Sequence, residues 1–333
     1  MRQLCPTLLI TLVVAAAPIA SAQVKGLSGT LVVTNKTPST ATVIDVGSGR
    51  TLATLPTGNG PHEIALSSDG RMAVVTDYSG QPGKTLTVID LDSMRVALTI
   101  DLGDYRRPHG ITFLAGDSLV AVSSEASRNV LVVNVVAGQV RKVIPTQANG
   151  SHMVAVAADG SHAFTGNIGS NSISEIDLSR GQFVRSIDVP AQPEAINVTP
   201  DGREVWVGSN ATGKISVVDP VSATVTTAAE GFGWPYRVLF TPDLKTVLLP
   251  DLKREELRFL DRATRKEVAR LSFAGGAPQG ITITSSGRYV FLSLSQQARV
   301  AILDMTTRSV VGYLAAGETP DGVAYTARVY PAK

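Results

Sequence analysis

Pro61-His62-Glu63-Ile64-Ala65-Leu66-Ser67-Ser68-Asp69-Gly70-Arg71-Met72-Ala73-Val74-Val75-Thr76-Asp77 decides the fold. Glu63 to Leu66 alternates apolar and polar residues, Asp69-Gly70 is a tight-turn signal, and Met72 to Thr76 is an apolar run. Leu86 to Leu91, Leu-Thr-Val-Ile-Asp-Leu, is a third run and Val96 to Leu102 a fourth. Short alternating runs broken by Gly, Asp and Asn predict strands joined by hairpins, because those residues accept the positive φ of two-residue turns. Helical spacing is absent, so the unit reads as a four-stranded antiparallel sheet with strands A to D.

The same unit recurs along the chain. Its opening proline returns as Pro108, Pro193, Pro235, Pro278 and Pro320, with Ser151 at the one place where it is missing, at intervals of 42 to 47 residues. The third strand ends at Asp45, Asp90, Asn134, Asp177, Asp219, Asp261 and Asp304. A period of this length signals an array of supersecondary units. One sheet cannot bury both faces alone, and radial stacking solves that while leaving only short edges. The end repeats complement each other: Pro320 to Thr326 supplies only a first strand, while Leu31 to Val33, Thr42 to Val46 and Thr51 to Pro56 supply the other three. The expectation is an all-β, seven-bladed β-propeller closed by pairing of the terminal strands in one shared blade.

Residues 1–22 read apart from this array. Arg2 is a positive n-region, Leu8 to Ala17 an apolar run, and Ala20-Ser21-Ala22 a small-residue cleavage pattern, so a signal peptide and export to the periplasm or beyond are expected, with cleavage near Ala22. Residues 23–333 are then one propeller domain. Cys5, the only cysteine, falls in the leader, so disulfides do not stabilise the propeller. No later apolar stretch approaches the ~20 residues of a membrane span. Lys and Arg number 30 against 28 Asp and Glu, which gives no net basic bias towards nucleic acid.

The chain resembles the YVTN-repeat β-propellers, which include the YncE-like periplasmic proteins. The resemblance rests on Val32-Val33-Thr34-Asn35, the Pro-His/Gln-Gly-Ile strand starts, the Ser-Asp-Gly turns and Val88-Ile89-Asp90. It implies an exported seven-bladed propeller and leaves the activity open. Repeated Gly-His with Trp-Asp pairs, the mark of WD40 repeats, are absent, and Trp206 and Trp234 are too few for quinoprotein repeats.

Strand A is expected to line the central channel, which brings the residue after each opening position to one mouth. That column reads His62, His109, His152, Glu194, Tyr236, Gln279 and Asp321. Three imidazoles and a carboxylate are a plausible ligand set for zinc or another divalent transition metal, with Glu194 as fourth ligand or general base. A histidine here can instead simply bond a neighbouring backbone. Tyr105, Arg106, Trp234 and Arg237, in or beside the loops leading into strand A, join Tyr236, Gln279 and Asp321 as candidate ligand contacts, since arginine forks hold anions and aromatics offer stacking surface. The strand-B ends Asn35, Asp77, Ser124, Asn167, Ser209 and Asp251 are read as turn formers, as are the third-strand aspartates. His162 follows a turn at the opposite end and is left out.

No phosphate loop, nucleophile elbow or cysteine nucleophile is present. Gly83-Lys84-Thr85 lacks the preceding glycine, which is Tyr78, and joins strands. Two readings follow. One is a monomeric binding module that holds a small molecule or an envelope protein at the channel mouth. The other is a metal-dependent hydrolase or lyase acting on a lactone, cyclic ester or glycoside-like compound.

Overall fold

Seven four-stranded antiparallel sheets stand around one axis in the computed structural model, which describes residues 24–80 and 83–331. The expected signal peptide, its cleavage position and Cys5 lie outside the described residues. Blade 1 contains Pro61–Leu66, Met72–Asp77, Thr85–Asp90 and Arg95–Asp101, in that order from the axis outward. Blades 2 to 6 open with strand A at Pro108–Phe113, Ser151–Val156, Pro193–Val198, Leu239–Phe240 and Pro278–Ile283. Blade 7 joins Pro320–Thr326 to Thr30–Asn35, Thr40–Asp45 and Thr51–Pro56, with Val33 opposite Val323 and Leu31 opposite Tyr325. The terminal strands thus close the ring as the sequence predicts, with the C-terminal strand supplying strand A of the shared blade.

Hydrophobic residues on strands B and C face the adjacent blades. Seven core clusters result, one at each blade interface. Leu31, Ile44, Phe291 and Val300 fill the interface of blades 7 and 6, and Trp206, Val217, Val247 and Leu249 that of blades 4 and 5. Each blade therefore buries its two faces only by having two neighbours, which is why the repeat needs the whole ring.

Strand A carries the feature that builds the channel mouth. In six sheets its register with strand B shifts just after the opening residue, as between Pro61 and Ile64, where Pro61 faces Asp77 and Ile64 faces Val75. Such a bulge places two residues against one and re-aims their side chains. Hydroxyls on strand B satisfy the disturbed backbone: Thr76 Oγ1 accepts from the Glu63 amide at 3.0 Å, and Ser123 Oγ from Gly110 at 2.9 Å. Where the second bulge residue is Gly280 or Gly322, a Cβ would strike the backbone of the next blade's strand A, so the glycines permit close blade contact.

Blade 5 departs from the repeat. Its strand A shrinks to Leu239–Phe240, preceded by an isolated bridge from Pro235 to Asp251. Pro250 stands where Thr76 stands in blade 1, and it has neither an amide hydrogen nor a hydroxyl to offer the ladder. Tyr236 keeps only one link there, donating its amide hydrogen to the Pro250 carbonyl at 2.9 Å.

Candidate functional site

The bulges turn the column after the opening residue towards the axis, and seven different blades supply one ring of side chains. A second ring lies beside it, from the residue following each strand-B end: Lys36, Tyr78, Glu125, Ile168, Asn210, Leu252 and Ser295. Members of both rings line a cavity of about 560 Å³: the three histidines, Glu194, Tyr236 and Gln279 from the first, and Tyr78, Glu125, Ile168, Asn210 and Leu252 from the second, with Trp234 from the loop above.

The strand-B ends position these residues and do not themselves enter the cavity lining. Asp77 accepts from the Gly58 amide and from Thr85 and Thr87, and Asp251 accepts from the amides of Gly233 and Trp234. Ser124 and Ser209 donate to the carbonyls of Arg106 and Pro190. Each end thus ties down the loop that leads into strand A. Burial pushes the Asp77 carboxyl up to about 6 against the pull of its three hydrogen-bond donors.

Across blades 1 to 4, the His62 and His109 ring centres lie 5.2 Å apart and those of His109 and His152 only 3.5 Å. Tyr78 packs against His62 at 4.3 Å and edge-on to His109 at 4.8 Å. His62 Nδ1 meets the Gly60 carbonyl at 2.8 Å, and His152 Nδ1 meets Glu125 Oε2 at 2.6 Å. Glu125 also accepts from the Tyr78 hydroxyl at 2.9 Å and lies 3.5 Å from Arg107, whose guanidinium covers the Tyr78 ring. Glu194 Oε2 accepts from the Trp234 indole at 2.9 Å and from the Asn210 amide. Burial holds the His62 imidazole down to about 4, and it keeps His109, with help from the other imidazoles, well below the usual histidine range. His109 is only 1% exposed, and its Nδ1 has no hydrogen-bond partner among the described residues.

The remaining arc is a closed polar network. Tyr236 donates to Asp321 at 3.1 Å, and Lys36 reaches both Asp321 at 3.2 Å and Gln279 at 3.0 Å. Beneath it, Arg237 of blade 5 pairs with Glu63 of blade 1, and its guanidinium stacks 4.1 Å from the Tyr236 ring centre. Burial, reinforced by the Asp321 charge, raises the Tyr236 phenol well above its ordinary value. Asp321 is buried too, yet Lys36 and the neighbouring cations hold its carboxyl below the usual range.

The channel-mouth column expected from the sequence is therefore brought together, with the His109 and His152 rings in close contact at 31° to each other and the His62 ring tilted 60° from His109. Among the described residues no group of three or more His, Cys, Asp or Glu is arranged to hold a metal ion. Of the loop candidates, Trp234 lines the cavity. Arg237 is a buried partner of Glu63 below it. Tyr105 packs against the core between blades 1 and 2, and the Arg106 side chain is exposed; neither is among the lining residues. The left-handed backbone of Arg107, with φ 55°, puts that residue over Tyr78 instead. His162 lies at the other end, 3.9 Å from Glu175, as expected. Tyr78, Glu125, Asn210 and Lys36 were missed as site residues, and a column read one residue past each strand-B end would have found them.

No curated protein matches the chain by sequence. Among solved structures, Kuenenia stuttgartiensis Hydrazine Synthase is similar over 79% of this chain and 88% of that one, with 20% identity and a TM-score of 0.68. A functionally unknown protein from Desulfotomaculum acetoxidans DSM 771 is similar over 90% of this chain and 99% of that one, with 15% identity and a TM-score of 0.74. At these identities the likeness is one of fold. Residues 112–231, which run through blades 2 to 4, match the family described as YNCE-like beta-propeller, and the seven closed blades agree with that likeness.

Proposed function

We propose that this chain is an exported binding propeller that holds a small organic molecule in the cavity at its channel mouth. The observation that carries this reading is His109, an almost fully buried imidazole in the cavity wall whose Nδ1 has no partner. Buried polar atoms in folded proteins are nearly always bonded, and an exception beside a cavity calls for a group from outside the chain. The cavity volume of about 560 Å³ suits the purpose, since small-molecule sites typically measure about 300–1,000 Å³. Trp234, Ile168 and Leu252 give it apolar wall, and Asn210, Gln279 and the glutamates give it polar points. The leader pattern in residues 1–22 supports the export in this reading. Among the described residues no helix is long and apolar enough to cross a membrane.

Thermal unfolding of the purified propeller against a metabolite library tests the reading. A ligand at a hundred times its Kd adds about 2.7 kcal/mol of stability, and Trp234→Ala is expected to abolish that gain. If no compound stabilises the protein, but an envelope protein binds the wild type and not Trp234→Ala, the occupant is a protein loop and the small-molecule reading fails.

A further inference from the structure

Among the described residues, the carboxylates at the channel mouth are paired with a lysine or arginine with one exception. Glu63 has Arg237, Asp321 has Lys36, and Glu125 has Arg107. Glu194 is different. Its side chain is 6% exposed, and both of its hydrogen bonds, from the Asn210 amide and the Trp234 indole, come from neutral donors to the same oxygen, Oε2. Among the described residues no Lys or Arg pairs with it. The nearest titratable donor is His152 Nε2, 3.8 Å from Glu194 Oε1 and beyond hydrogen-bond distance, and the other nitrogen of that ring is engaged by Glu125. Lys253 lies over the Trp234 ring, 4.8 Å from its centre, and does not reach the carboxylate. A buried carboxylate without a cation is costly unless something outside the chain completes it.

A second observation points the same way. Because Asn210 turns its NH2 group to Glu194, its oxygen is the atom left over, and Asn210 Oδ1 is buried without a partner. What the oxygen lacks is a donor. With Glu194 Oε1 it forms a pair of unfilled acceptors on blade 4, and Glu194, Asn210 and Trp234 all line the cavity.

We infer that the cavity takes a ligand bearing a cationic hydrogen-bond donor, an ammonium or amidinium group, seated between Glu194 and Asn210 with its apolar body against Trp234. The inference rests on the small-molecule reading above and specifies its chemistry. The cation supplies the charge that Glu194 lacks, its N–H groups fill Glu194 Oε1 and Asn210 Oδ1, and the neutral His109 imidazole is left for a second polar group of the ligand. Charge-assisted hydrogen bonds of this kind are the stronger class.

Two measurements test it. In the ligand-free protein, Glu194→Gln keeps an acceptor for Asn210 and Trp234 while removing the unpaired charge, so the variant is expected to melt at a higher temperature than the wild type. A lower melting temperature would mean that the carboxylate is already compensated within the chain and would overturn the inference. Calorimetric titration with tryptamine, its neutral alcohol analogue tryptophol, and indole-3-acetate, which share one ring, provides the second. Tryptamine is expected to bind best, and Glu194→Gln to weaken it about ten- to a hundredfold, to the level of tryptophol. Equal binding of the three, or preference for the acid, with all binding lost in Trp234→Ala, overturns the cation and leaves the cavity reading standing. If neither tryptamine nor the aliphatic guanidinium cation agmatine binds at about 1 mM, the inference fails. An empty metabolite screen besides would remove the cavity reading as well.

Discussion

Two arcs of one ring occupy the same repeat position and meet opposite fates. In blades 5 to 7, Tyr236, Gln279 and Asp321 are locked with Lys36, above the Glu63–Arg237 pair that spans the channel. In blades 1 to 4, His109 Nδ1, Asn210 Oδ1 and the Glu194 charge are left without complements. Six blades on both arcs deliver their residue to the axis by the same bulge, and blade 5 brings Tyr236 there from a shortened strand A, so the bulge does not distinguish the arcs. The difference lies in whether the chain supplies the partner itself, and the arc that fails to do so is where a ligand has something to contribute.

The sharpest way to break this comparison is to cut one side chain from each arc. Asp321→Ala strands the Lys36 cation and the Tyr236 hydroxyl in a buried network and is expected to cost about 3–5 kcal/mol. His109→Gln, on the other arc, removes an imidazole whose Nδ1 bonds nothing, and is expected to change ligand-free stability by no more than about 1 kcal/mol. Urea unfolding with a constant m-value measures both. Equal losses would mean that the two arcs are equally structural.

Acid sharpens the contrast through His62. Its folded value of about 4 lies below the ordinary 6.5, so from pH 6.5 down to about 4 the unfolded chain binds the proton and the native one does not. Stability contributed through this group therefore falls as the pH falls, by about 2 kcal/mol between pH 7 and 5. His109 acts in the same direction. Asp77 acts oppositely: raised to about 6, it is protonated first in the native state, so its share of stability grows on acidification through that window. Comparing His62→Gln with the wild type at each pH cancels the Asp77 contribution. The variant is expected to lose about 2 kcal/mol less between pH 7 and 5; identical pH profiles would remove buried neutral imidazole from the description.

The smallest expected effect separates two adjacent arginines. Arg107→Ala removes the guanidinium over Tyr78 and the partner of Glu125, and is expected to cost about 1 kcal/mol and to weaken ligand binding. Arg106→Ala is expected to stay within about 0.5 kcal/mol, as exposed substitutions do, with binding unchanged. Matching thermal melts and titrations of the two variants decide whether the rim is specific or merely basic.

Much of this was legible in the chain. The proline-led period, the Asp-Gly turns and the complementary ends specify seven sheets and their closure, because turn chemistry and alternation are local properties and a closed ring is the arrangement that buries both faces of every repeat. The column of His62, His109, His152, Glu194, Tyr236, Gln279 and Asp321 was legible for the same reason: equivalent positions around a ring must converge. The reading failed in the loops. Arg106 was read as a candidate and Arg107 was not, because the left-handed backbone that places Arg107 over Tyr78 has no glycine to announce it, and Tyr105 packs on the apolar wall between blades 1 and 2. Blade 5 lost most of strand A opposite Pro250, a residue on the neighbouring strand B that follows the disrupted segment in sequence.

By itself, then, the sequence determined the architecture and the membership of the ring, since both follow from periodicity. Only the tertiary structure decided who pairs with whom across the axis. Glu63 and Arg237 lie four blades apart in the chain order, as Lys36 and Asp321 lie near its opposite ends, and no local pattern encodes such meetings. Which charge was left over, Glu194, could emerge only after every other pair had been made.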